Sequence, residues 1–124
     1  MIVSSLKLLL EQVDLKGAIL SGLKFPYDFI DLPDSLTIYL KNEGEPKEIT
    51  SVPDYKPNAE IKIVPFDPIT IEINFLNRKK WDRRSIKLSM KNQTVADIAV
   101  SIVDQITKVI KIAQVKTEGV YDGL

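Results

Sequence analysis

The chain contains no cysteine and no histidine. The first absence rules out disulfides and thiolate nucleophiles. Together the two remove the usual zinc ligands and the side chain that most often acts as a general base near neutral pH. Only carboxylates, lysines and tyrosines remain for acid–base work, and the five glycines are scattered rather than gathered into a phosphate-cradling loop. No apolar run approaches the roughly 18 residues of a spanning helix, so no membrane association is expected. The apolar patch in "MIVSSLKLLLEQV" has no basic stretch before it and no small-residue cleavage site after it, which argues against a signal peptide. With no thiol pointing to an oxidising compartment, the expected location is intracellular: the cytoplasm, or the inside of a virus particle.

What is present describes an ordinary globular chain. At 124 residues, 44% hydrophobic and 27% charged, the sequence suits one domain over residues 1–124 and is unlike a disordered segment. Formal net charge is zero but unevenly spread. Residues 1–77 hold 7 basic against 12 acidic residues, a balance of −5, and residues 78–124 hold 10 against 5, a balance of +5. Such asymmetry fits either two halves that face each other within one fold or an electrostatic partner for each end.

Punctuation is equally uneven. All seven prolines fall between Pro26 and Pro68, whereas no glycine or proline interrupts the chain between Pro68 and Gly119. The proline-rich part therefore reads as turns and short strands: a loop in "FPYDFIDLPDS", a strand in "SLTIYLKN", a short edge strand in "KEITSV" and another strand in "AEIKIVPF". The uninterrupted part reads as a hairpin, "ITIEINF" and "SIKLSM" joined by the loop "LNRKKWDRR", followed by a long helix. Ile69, Ile71, Ile73 and Phe75 share one hairpin face with Ile86, Leu88 and Met90, so the sheet is expected to be covered on one side only. Lys87 is expected opposite Glu72 or Asn74.

In the helix, Ala99, Ile102, Ile106, Val109 and Ala113 repeat at 3, 4, 3 and 4, with Asp97, Ser101, Asp104, Lys108 and Lys111 on the opposite face. Thr94 and Asp97 suggest a capping box, and Asp104 precedes Lys108 by one turn. A short N-terminal helix is expected over residues 2–13, with Ile2, Leu6, Leu9 and Val13 inward. Beyond it, Leu15, Ile19 and Leu23 keep helical spacing, but Gly17 and Gly22 make a turn and short strand nearly as plausible. Residues 117–124 read as a loose tail. The fold class is thus α+β: an antiparallel sheet of four or five strands with a basic-looped hairpin, packed on one face by the C-terminal helix. A hairpin followed by "TVADIA" resembles the opening of β-grasp, ubiquitin-like domains, over a minority of the chain.

Two clusters are candidates for function. Asp28, Asp31 and Asp34 could offer oxygen ligands to a hard cation, but they lack the dense alternating acids and turn glycine of an EF-hand loop, so a solvated acidic loop is the expectation and no metal or cofactor is implied. In the hairpin, Arg78, Lys79, Lys80, Arg83 and Arg84 surround Trp81. Arginine beside tryptophan favours a protein contact, and interleaved basic and aromatic residues also suit phosphate neutralisation with base stacking. A solvated hairpin end with Trp81 folded onto the core competes with both, and the zero net charge counts against nucleic acid. The expected role is a non-enzymatic interaction or assembly subunit, such as a virus or phage particle component. It would associate with itself head-to-tail, Trp81 meeting an acidic surface that includes some of Asp28, Asp31 and Asp34, or with another protein. The alternative is a nucleic-acid-binding accessory protein using residues 78–84.

Overall fold

The structure is a computed structural model and describes residues 2–40, 47–53, 57–66, 68–77 and 80–122. Helix α1 (Ile2–Gly22) is followed by strands β1 (Tyr27–Leu32), β2 (Ser35–Leu40), β3 (Lys47–Glu48), β4 (Ala59–Val64), β5 (Ile69–Asn77) and β6 (Lys80–Leu88), then by helix α2 (Val95–Asp122). The strands form one six-stranded sheet in the order β3-β1-β2-β4-β5-β6. Every pairing is antiparallel except that of β3 with β1, so the sheet is mixed and one to two strands larger than expected.

The additional strand comes from the segment read as a loop. Tyr27 and Phe29 alternate with Asp28 and Ile30, and Leu32 pairs with Ser35 across the tight Pro33–Asp34 connection, which closes a hairpin. Proline and aspartate suit such a turn because one presets φ and the other bonds its own backbone. The short edge strand in "KEITSV" is present as β3, whose following residue Ile49 donates its N–H to the Phe29 carbonyl at 2.7 Å.

One face of the sheet carries the core. Leu36, Ile38, Ile61, Ile63, Ile69, Ile71, Ile73 and Phe75 are buried, and α2 lays Ile98, Ala99, Ile102, Ile106 and Val109 over them. Each such side chain removed from water contributes about 1.5–3 kcal/mol. The apolar hairpin face is as expected, but its register is not: Lys87 lies opposite Thr70, and Glu72 lies opposite Ser85. Hydrophobic alternation fixes only the face, because a shift of two residues keeps every side chain on the same side.

The N-terminal helix is much longer than expected and runs through both glycines to Gly22. Its Leu15 and Ile19 are buried, in line with Leu23 just past its end, while Val13 is 77% exposed and Leu10 75% exposed. An added Cβ at Gly17 would meet nothing within 4 Å, so that glycine is only a local cost in helix propensity. At Gly22 the added carbon would lie 3.0 Å from Val103 Cγ2, so the missing side chain lets α1 approach α2 closely. At the other end of the chain, α2 continues to Asp122, so residues 117–122 extend the helix where a tail was expected.

The entrance to α2 follows its sequence signals. Asp97 N–H donates to Thr94 Oγ1 at 3.1 Å, and Thr94 N–H reaches back to Asp97 Oδ2 at 3.5 Å. Asn92, at φ 61°, turns the chain into this cap; asparagine tolerates that left-handed backbone better than most residues. The Asp104–Lys108 pair forms at 3.1 Å on the exposed side.

Candidate functional site: the β6 edge

The predicted basic loop is mostly a strand. β5 reaches Asn77 and β6 begins at Lys80, with these two residues paired, so only positions 78 and 79 separate the strands. Arg78 and Lys79 lie outside the described residues. The other members of the cluster, Lys80, Trp81, Arg83 and Arg84, are strand residues on the free edge of the sheet. Tryptophan and arginine fit an extended backbone, and nothing in "LNRKKWDRR" supplies the glycine or proline of a longer loop.

Strand alternation divides the cluster. Trp81, Arg83, Ser85 and Lys87 point to the sheet face without helices, and Lys80, Asp82, Arg84, Ile86 and Leu88 point to the helix side. Arg84 sits across from Ile73 and Asp82 across from Phe75, so an Asp–Arg pair of positions rims the apolar core. Residues 80–85 are all exposed, whereas Ile73 and Phe75 beside them are buried. Trp81 is 53% exposed and does not fold onto the core. Arg83 Nη2 lies 3.2 Å from Glu72 Oε1 on the neighbouring strand. That exposed contact adds about 1 kcal/mol or less, and it partly neutralises the arginine. Sequence reasoning missed it because the contact depends on the register.

The acidic residues are not brought together. Asp28 and Asp31 stand three apart on β1 and so point to opposite faces. Asp28 is 1% exposed on the face away from the helices, beside Tyr39, which it pairs with across the strands. Asp31 pairs with the Lys16 ammonium on the helix side, and the same ammonium bonds the Leu32 carbonyl; Lys16 is itself 6% exposed. Asp34 is exposed in the β1–β2 turn. These three carboxylates therefore form neither a shared cation cage nor one acidic surface. Among the described residues no group of three His, Cys, Asp or Glu side chains is placed to hold a metal ion.

Two tyrosines are perturbed. Burial raises the Tyr27 hydroxyl above its ordinary range while it donates to the Leu20 carbonyl at 3.1 Å, tying β1 to the end of α1. Burial also raises Tyr39, with the Glu60 carboxylate on the paired strand adding to the effect. A groove of about 490 Å³ runs between the helices, lined by Ala18, Gly22, Ala99, Val103, Asp104 and Thr107 among others. Its small apolar walls hold few groups able to orient a ligand. Among the described residues no helix is long and apolar enough to cross a membrane. No protein-family model, no curated protein and no solved structure matches this chain significantly.

Proposed function

We propose that this chain is a non-enzymatic interaction subunit that docks through the β6 edge of its sheet. One observation carries the reading: a nine-residue strand stands at the free edge with residues 80–85 all exposed, and the chain's single tryptophan lies among them. An open edge offers unpaired backbone donors and acceptors to an incoming strand, and a half-exposed tryptophan beside arginine is the side-chain chemistry that anchors protein interfaces. The absence of histidine and cysteine from the sequence adds support by removing the commonest catalytic groups. The expected setting, a larger oligomer or a virus or phage particle, belongs to the same proposal.

The partner-contact set is Lys80, Trp81, Arg83 and Arg84. With Asp28 buried and Asp31 paired to Lys16, the head-to-tail arrangement has less support than docking through the β6 edge. In extracts of cells that make the protein, the chain should migrate well above its 14.0 kDa mass, and Trp81→Ala should return it to the size of a free chain. Migration of the wild type at the free-chain size overturns the reading. Nuclease treatment of the extract separates it from nucleic-acid binding: loss of the large species on digestion would favour the phosphate-binding alternative.

A further inference from the structure

We infer that the partner at this edge is a second copy of the chain, paired antiparallel along β6 about a twofold axis at Arg83, so that two six-stranded sheets become one. This rests on the docking reading above and adds the identity of the partner and the register.

The register follows from alternation and charge. A twofold axis normal to the sheet keeps each side chain on its own face, so the axis must pass through a residue that meets itself. Centring on Ser85 sets Arg83 against Lys87. With Arg84 at the centre that residue meets its own copy, and Asp82 faces Ile86. Centring on Asp82 sets that carboxylate against itself and Lys80 against Arg84. Centring on Arg83 places Asp82 of each copy across from Arg84 of the other, twice, on the helix side of the sheet. The two Arg83 side chains then meet on the open face, each already held 3.2 Å from its own Glu72. Trp81 falls diagonal to Arg83 of the other copy, within reach of a cation–π contact.

The same charges explain why pairing stops at two. Lysine and arginine along an edge repel most foreign strands, and here they are self-complementary in the Arg83-centred register, which pairs residues 80–86. Centring on Trp81 sets Lys80 against Asp82 but pairs only residues 80–82, because β6 begins at Lys80. Among the described residues the opposite edge of the sheet is β3, with only two paired residues, a much shorter template than β6.

Sedimentation of the purified full-length chain tests this with Asp82→Arg, Arg84→Asp, the variant carrying both changes, and an equimolar mixture of the two single variants. The wild type should sediment at twice the 14.0 kDa chain mass. Each single variant should sediment as a monomer at the same concentration, because like charges then oppose each other twice. The doubly changed chain should regain the dimer, and the mixture should form a mixed dimer from two monomeric species. A wild type that remains monomeric, single variants that remain dimeric, or a mixture that fails to associate each overturns the inference. If the wild type is monomeric when pure yet still migrates in a Trp81-dependent complex in cell extracts, the docking reading stands and only the identity of the partner is wrong.

Discussion

At the scale of single residues, two glycines in one helix behave differently. Gly17 has open space where a Cβ would go, so Gly17→Ala should stabilise the protein by about 0.5–1 kcal/mol, read from the urea midpoint. Gly22→Ala gains the same propensity but pushes against Val103, so its net effect should be smaller or reversed. The tyrosines give a pH signature. A hydroxyl whose folded pKa lies above the ordinary 10.0 binds its proton more tightly in the native state. Its contribution is complete below pH 10 and is lost as pH rises through the folded value. Stability should therefore drop above about pH 10, and a Tyr27→Phe, Tyr39→Phe variant should show a shallower drop than the wild type when urea midpoints are compared across that range. An equal slope in both proteins would show that other groups govern alkaline unfolding. Tyr27→Phe should also cost about 1 kcal/mol below pH 10 through loss of the bond to Leu20.

At the scale of elements, the signals that survived into the structure are local ones. The Thr94–Asp97 cap, the Asp104–Lys108 pair and the 3-4 spacing of Ile102, Ile106 and Val109 each involve residues one turn apart, so the sequence alone contains them. Thr94→Ala should lower stability by about 1 kcal/mol, and Asp97→Ala by less, measured by denaturant unfolding. The parts that were not legible depend on distant partners. Gly17 is overridden by Leu15 and Ile19 on the core face of α1, since burial outweighs a propensity deficit of about 1 kcal/mol. Strand β1 was hidden by acids: Asp31 is accommodated by Lys16 from fifteen residues away, and no local rule anticipates that pairing. The same limit applies to the candidate site. Its residue types were visible in "RKKWDRR", but their division between two faces was not, because it follows from β5–β6 pairing rather than composition. Helix and sheet nonetheless bury Ile69, Ile71, Ile73, Phe75, Ile102, Ile106 and Val109 as periodicity predicts, with Ile86, Leu88 and Met90 only partly buried. Ile73→Ala and Ile102→Ala should each cost about 2–5 kcal/mol by leaving a cavity; losses below about 0.5 kcal/mol in both would contradict the packing.

At the scale of the whole molecule, the division of charge has a spatial meaning. The basic part of the chain begins at position 78, two residues before β6, so the excess of Lys and Arg includes one edge of the sheet. That edge is also where the covered face stops, since Arg84 and Asp82 replace apolar side chains opposite Ile73 and Phe75. A molecule built this way should be least soluble when the edge charges are removed. Replacing Lys80, Arg83 and Arg84 with alanine should promote aggregation, visible as a rise in turbidity at low ionic strength, because the strand then becomes a general template.

The placement of α2 after the entire sheet also constrains the order of events during synthesis. A ribosome that has made β1 through β6 has produced a surface of Leu36, Ile38, Ile61, Ile63, Ile69, Ile71 and Ile73 with only α1 available to shield it, because the residues that cover β5 are still to be translated. At about 5–20 residues per second the interval lasts seconds, long compared with the microseconds in which hairpins close. The nascent sheet should therefore be a client for holding chaperones until residue 109 or so clears the exit tunnel. Chains stalled at residue 94 and released should be digested by a nonspecific protease at a rate close to that of an unfolded chain, while full-length chains resist. Equal resistance of the two would mean that the meander and α1 fold without the element that closes them.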